Sequence, residues 1–91
     1  MHKEAFNAQS LAELRQKIDV LDDQMRDIFL QRMGLVAQVA ELKREADIPV
    51  LHRDRESEII RRLSDGLDEE NREDLAALFE KLFELSRSRQ A

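Results

Sequence analysis

The chain has 91 residues, enough for one small domain with a modest core. It contains no Cys and only two imidazoles, His2 and His52, which excludes disulfides, thiol nucleophiles and Cys-ligated metal and leaves a metal site poorly supported. A net charge of −5 opposes nucleic-acid binding, no apolar run nears the roughly 18 residues of a membrane span, and residues 1–10 lack the apolar core of a signal peptide, so a soluble cytoplasmic protein is expected.

Trp and Tyr are absent and only four Phe occur, so Leu, Ile, Val and Met must build the core. Charged residues at 38%, with two Gly and one Pro, predict an all-α fold. Residues 1–9 are polar and expected to fray. The first helix is predicted over 10–46, with Ser10 as its cap and Glu13 completing a capping box. Along it Leu11, Leu14, Ile18, Leu21, Met25, Ile28, Leu35, Val39 and Leu42 form an amphipathic, coiled-coil-like seam. The seam position between Ile28 and Leu35 is Arg32, a guanidinium that is costly to bury unless an anion meets it. Gly34 weakens the helix by about 1 kcal/mol relative to Ala and would permit a close neighbour. The helix must stop before Ile48-Pro49, because a residue preceding Pro avoids the helical region.

A helix of roughly 36 residues is about 54 Å long, whereas a compact chain of this size has a radius of gyration of about 12 Å. Its seam would be bare along part of its length, and a second copy of the chain is the simplest cover. A second helix is predicted over about 53–65, with Ile59, Ile60 and Leu63 on its apolar face and Gly66 as its stop. Asp68 then caps a third helix over 69–90, favoured by Glu69 and Glu70 at its positive end. Its buried stripe is read as Leu75, Leu78, Phe79, Leu82 and Phe83, continued by Ser86 and Gln90.

Several polar residues border these apolar faces. Arg32 and Lys43 point the same way, with roughly 16 Å of helical rise between them, and together could bracket a small anion. Arg15, about 25 Å along the axis from Arg32, reaches the same ligand only from a partner helix. Arg55 and Glu56 lie one turn before Ile59 and Ile60, His52 precedes that helix, and Ser86 and Gln90 sit a turn apart on the third. The plain alternative is that the cations snorkel to solvent, Arg55 and Glu56 make boundary ion pairs, His52 is structural, and Ser86 and Gln90 are a solvated stripe end. As a set they contain no nucleophile–base pair, and they suit binding a small polyanion and stabilising charge.

In order and spacing, Leu14-Arg15-Gln16-Lys17-Ile18-Asp19, Arg32, Lys43, Ile48-Pro49-Val50, Arg55-Glu56, residues 79–86 and Gln90 resemble the all-helical (AroQ-class) chorismate mutases over nearly the whole chain. The resemblance implies an intertwined homodimer of three-helix protomers that rearranges chorismate to prephenate in aromatic amino-acid biosynthesis, without a cofactor or metal. It implies that Arg15 of one protomer and Arg32 of the other bind the two substrate carboxylates, and that Lys43 and Gln90 contact the ether oxygen. Glu56 takes the ring hydroxyl, and Ser86 and, more loosely, Arg55 complete the carboxylate side. The family commonly carries Asp where this chain has His52, which serves if that position acts through its backbone N–H. The competing expectations are an isochorismate pyruvate-lyase of the same fold and a non-catalytic helical dimerisation module.

Overall fold

A computed structural model of the protein describes residues 8–91, so His2 and most of the polar N-terminal stretch lie outside the described residues. Three helices follow in order: α1 (Ala8–Ala46), α2 (Arg53–Ser64) and α3 (Glu69–Gln90). There is no strand among the described residues. The three expected helices are present, with one correction at the first start. Ser10 lies inside α1 instead of capping it, because Ala8 and Gln9, both good helix formers, carry the helix past it.

The ends of the helices follow from local chemistry. At the end of α1, Asp47 takes a positive φ of 58°, a conformation open mainly to Gly, Asn and Asp. There the Ile48 N–H donates to the Lys43 carbonyl at 2.8 Å and the Asp47 N–H to the Arg44 carbonyl at 3.4 Å. This is a Schellman cap, and it closes the helix just ahead of Pro49. After α2, Gly66 supplies φ +80° and the Leu67 N–H donates to the Ser64 carbonyl at 3.1 Å. Asp68 then caps α3, its carboxylate accepting from the Asn71 N–H at 2.8 Å. The Arg72 guanidinium ties the turn down by donating to the Leu67 carbonyl at 2.7 Å.

The chain divides into two units, Met1–Arg32 and Met33–Ala91. The described residues of the first unit form a single helical rod. One helix offers its own apolar side nothing to pack on, so Leu14, Ile18, Leu21, Met25 and Ile28 are all exposed, Ile28 at 62%. The second unit contains the end of α1 together with α2 and α3. Its core is Met33, Ala40, Ile59 and Phe83, with the Phe79 and Phe83 rings edge-on at 5.9 Å.

Two details of that core depart from the periodicity. The α1 residues buried in the second unit are Met33 and Ala40, whereas the seam residues Leu35, Val39 and Leu42 stay exposed. At 100° per residue the two sets lie roughly 140° apart around the helix. This segment therefore carries two apolar faces, and the second unit buries one of them. On α3, Leu78 is 53% exposed and does not belong to the buried stripe. It points roughly 100° away from the line through Phe79, Phe83 and Ser86, towards the side that also exposes Leu85.

Asp68→Ala removes the only side-chain cap described at a helix start and is expected to cost about 1 kcal/mol of stability. Urea denaturation of the two proteins at equal concentration measures it.

Candidate functional site

Glu56 and Arg87, polar residues of the second unit, meet where the start of α2 faces the end of α3, whereas Lys43, Ser86 and Gln90 do not line the cleft beside them. Glu56 lies in the first turn of α2, half-buried. Across from it, Arg87 of α3 donates from Nη1 to Glu56 Oε2 in a bond of 2.5 Å. The two side chains keep 34% and 24% of their exposure, respectively. The ion pairs Arg55–Glu58 and Lys81–Glu84 are exposed, and each bridges residues one turn apart on one helix. Such pairs are worth little. The Glu56–Arg87 pair differs because it joins two helices and is screened less by solvent. It borders a cleft of about 500 Å³ lined by Leu51, Arg53, Glu56, Glu80 and Arg87.

Arg55 and Glu56, adjacent in sequence, thus have different partners. Arg55 donates to Glu58 at 2.9 Å, and that hydrogen bond is the main reason the Glu58 carboxyl is held below its ordinary pKa. Glu56 turns inward to Arg87. His52 is the residue before α2, and its carbonyl accepts from the Glu56 N–H at 3.1 Å. Its imidazole is exposed and makes no capping bond.

Lys43 is half-buried near the end of α1, and its Nζ donates to the Val50 carbonyl at 3.0 Å, across the link to α2. An ammonium has three donors, so this bond leaves capacity for a ligand. Ser86 is buried, its hydroxyl donating back to the Leu82 carbonyl at 2.8 Å with Met33 Sδ 4.0 Å away. One turn on, Gln90 Nε2 donates to the Ser86 carbonyl at 3.2 Å, while Gln90 Oε1 is buried without a hydrogen-bond partner. Leaving such an acceptor unmet costs about 1–3 kcal/mol.

In the first unit, Arg15 is exposed on the rod and Arg32 is half-buried at its end. Seventeen residues separate them, about 25 Å of rise, so a small ligand cannot meet both on one helix. Among the described residues, no group of three His, Asp or Glu side chains could hold a metal ion. No helix among them is long and apolar enough to cross a membrane.

Arg87 was not among the sequence candidates. The signal for it was present but incomplete. It lies one turn after Phe83 and next to Ser86, so a cation there borders the buried stripe. Its partner, 31 residues earlier, is a matter of how α2 and α3 pack.

The sequence model of the family described as chorismate mutase type II matches residues 14–91, a stretch that includes every candidate residue from Arg15 to Gln90. A chorismate mutase from Methanocaldococcus jannaschii is 35% identical over 63 residues, which cover 69% of this chain and 64% of the relative. The match therefore spans less than two thirds of that relative's length. No solved structure matches the chain significantly.

The vacant cap at position 52 yields a prediction independent of any ligand. In His52→Asp, a carboxylate can accept from the first free N–H groups of α2 and meets the positive end of the helix. Stability is expected to rise by about 1 kcal/mol, read from denaturant midpoints.

Proposed function

The chain belongs to the chorismate mutase type II family, and from that membership we propose that it is an isomerase, converting chorismate to prephenate by an intramolecular Claisen rearrangement. The observation that carries the reading is the family match over residues 14–91. The chemistry of the candidate residues agrees with it. Chorismate is a dianion that must fold until its two reacting carbons meet. As the C–O bond breaks, negative charge develops on the ether oxygen. Neither event needs a nucleophile, a transferred proton or a metal. Both need cations that hold the folded conformer and donors aimed at one oxygen.

In this proposal Arg15 of one protomer and Arg32 of the other grip the two carboxylates, where forked guanidinium donors suit planar anions. Lys43 and the Gln90 amide donate to the ether oxygen. Ser86 and Arg55 complete the carboxylate side, and Glu56 accepts from the ring hydroxyl. His52 contributes through its backbone. A single copy cannot bring Arg15 and Arg32 to one small molecule, so the working form is a homodimer, placed in the cytoplasm and free of nucleic-acid partners. The bare apolar side of the first unit supports this assembly. Leu14, Ile18, Leu21, Met25 and Ile28 are the surface that a second copy would cover.

The test is ultraviolet measurement of chorismate loss and prephenate formation, with isochorismate as the control substrate and sedimentation for the oligomeric state. Dimeric protein is expected to turn over chorismate and not to release pyruvate from isochorismate. Arg32→Ala and Lys43→Ala are each expected to lose about 10²–10³-fold in kcat, with the dimer intact. Dimeric protein without turnover would leave a helical dimerisation module as the better reading.

Gln90 adds a pH test. A neutral amide donates at any ordinary pH, so the wild-type rate should be nearly flat from about pH 5 to 8. In Gln90→Glu the ionised carboxylate offers no proton and sets negative charge against the oxygen where negative charge develops. The protonated form restores a donor. The variant is expected to be nearly inactive at neutral pH and to recover as pH falls. A flat profile in the variant would remove residue 90 from the reacting oxygen.

A further inference from the structure

We infer that Arg87 is a positioning residue for substrate recognition: it holds the Glu56 carboxylate by one oxygen and presents the other to the substrate's ring hydroxyl. The inference rests on the proposed role of Glu56 and extends it to a residue outside the set already considered.

The geometry divides the carboxylate between two tasks. Arg87 Nη1 engages Oε2 of Glu56, and Oε1 receives no hydrogen bond from any described residue. A glutamate has three side-chain torsions and, unanchored, would spread over several rotamers at the helix surface. The ion pair from α3 selects one of them before substrate arrives. The remaining acceptor lone pairs are then directed and need no further ordering when a hydroxyl donates to them.

Charge supplies the second reason. Glu56 shares its cleft with another carboxylate, Glu80, and the proposed substrate is a dianion. Carboxylates beside an anionic ligand repel it unless cations offset them. Arg53 and Arg87 bring the formal charge of the charged lining residues to zero. Arg87 does this at Glu56 itself, so the acceptor needed for the hydroxyl is kept without a net repulsive charge. The guanidinium, with five donors, can hold the carboxylate with one nitrogen and still be hydrated or bonded through the others.

The test compares kcat/KM for wild type, Arg87→Gln, Arg87→Lys, Glu56→Gln and the double variant Glu56→Gln/Arg87→Gln. Each is assayed on chorismate and on its analogue lacking the ring hydroxyl, after circular dichroism and sedimentation confirm fold and assembly. Arg87→Gln is expected to lose about tenfold on chorismate and nothing further on the deoxy analogue. Arg87→Lys should recover most of the loss, and the double variant should be no worse than Glu56→Gln alone. Arg87→Gln with wild-type activity, or with equal losses on both substrates, would overturn the inference. If Arg87→Gln does not fold, Arg87→Met, which keeps the aliphatic stem, replaces it; loss of fold in both would assign the pair to structure and likewise overturn it. The two readings fail separately. Glu56→Gln as active as wild type would remove Glu56 from the site and the inference with it. An impaired Glu56→Gln beside a silent Arg87→Gln would remove Arg87 alone.

Discussion

A helix that carries apolar residues on two sides can bury only one of them within its own small unit, and much about this protein depends on that limit. In the second unit, the end of α1 gives Met33 and Ala40 to a core shared with Ile59 and Phe83. Leu35, Val39 and Leu42, on the other apolar face, stay exposed. The described residues of the first unit are a single helix, and Leu14, Ile18, Leu21, Met25 and Ile28 are exposed along it. Exposed apolar surface on this scale is rarely left in water by a soluble protein. The proposed dimer answers this constraint and the separation of Arg15 from Arg32 together.

The polar chemistry is fitted into the margins of the same packing. Met33 on α1 meets Ser86 on α3, so the hydroxyl is buried and satisfied by its own helix. One turn further, Gln90 keeps a buried carbonyl oxygen with no donor. On the other side of the α3 stripe, Arg87 reaches α2 and takes Glu56. Lys43 is steadied by the Val50 carbonyl. These groups are held by backbone and by one another, which is the condition for electrostatic preorganisation: a donor already in place costs no reorganisation when charge develops. The same features that hold them leave donors and acceptors uncommitted, the spare protons of Lys43 and the free oxygen of Glu56 among them.

Turn chemistry explains how little chain is needed to bring these residues together. Asp47 in a left-handed conformation stops α1, and the link containing Pro49 delivers Val50 to Lys43. Gly66, also left-handed, and the Asp68 cap reverse the chain between α2 and α3 within four residues, 65–68. The short reversal lets the first turn of α2 face the last turns of α3, and there Glu56 and Arg87 meet.

The sequence by itself determined the helices, their stops and the polar residues that border their faces. Those features follow from interactions over one or two turns: apolar spacing, the Asp68 cap, Gly66, and the ban on helix ahead of Pro49. Ser10 does not start its helix, because a capping box is a pattern that Ala8 and Gln9 can outcompete by simply continuing the helix. The tertiary structure alone decided which of two apolar faces of α1 is buried, that Leu78 is left out of the core, and that Glu56 pairs with Arg87 while Arg55 pairs with Glu58. Periodicity marks a residue as belonging to a stripe but carries no information about which neighbour the stripe will meet. An ion pair between residues 31 positions apart exists only once two helices have chosen their contact, and that choice belongs to the whole unit.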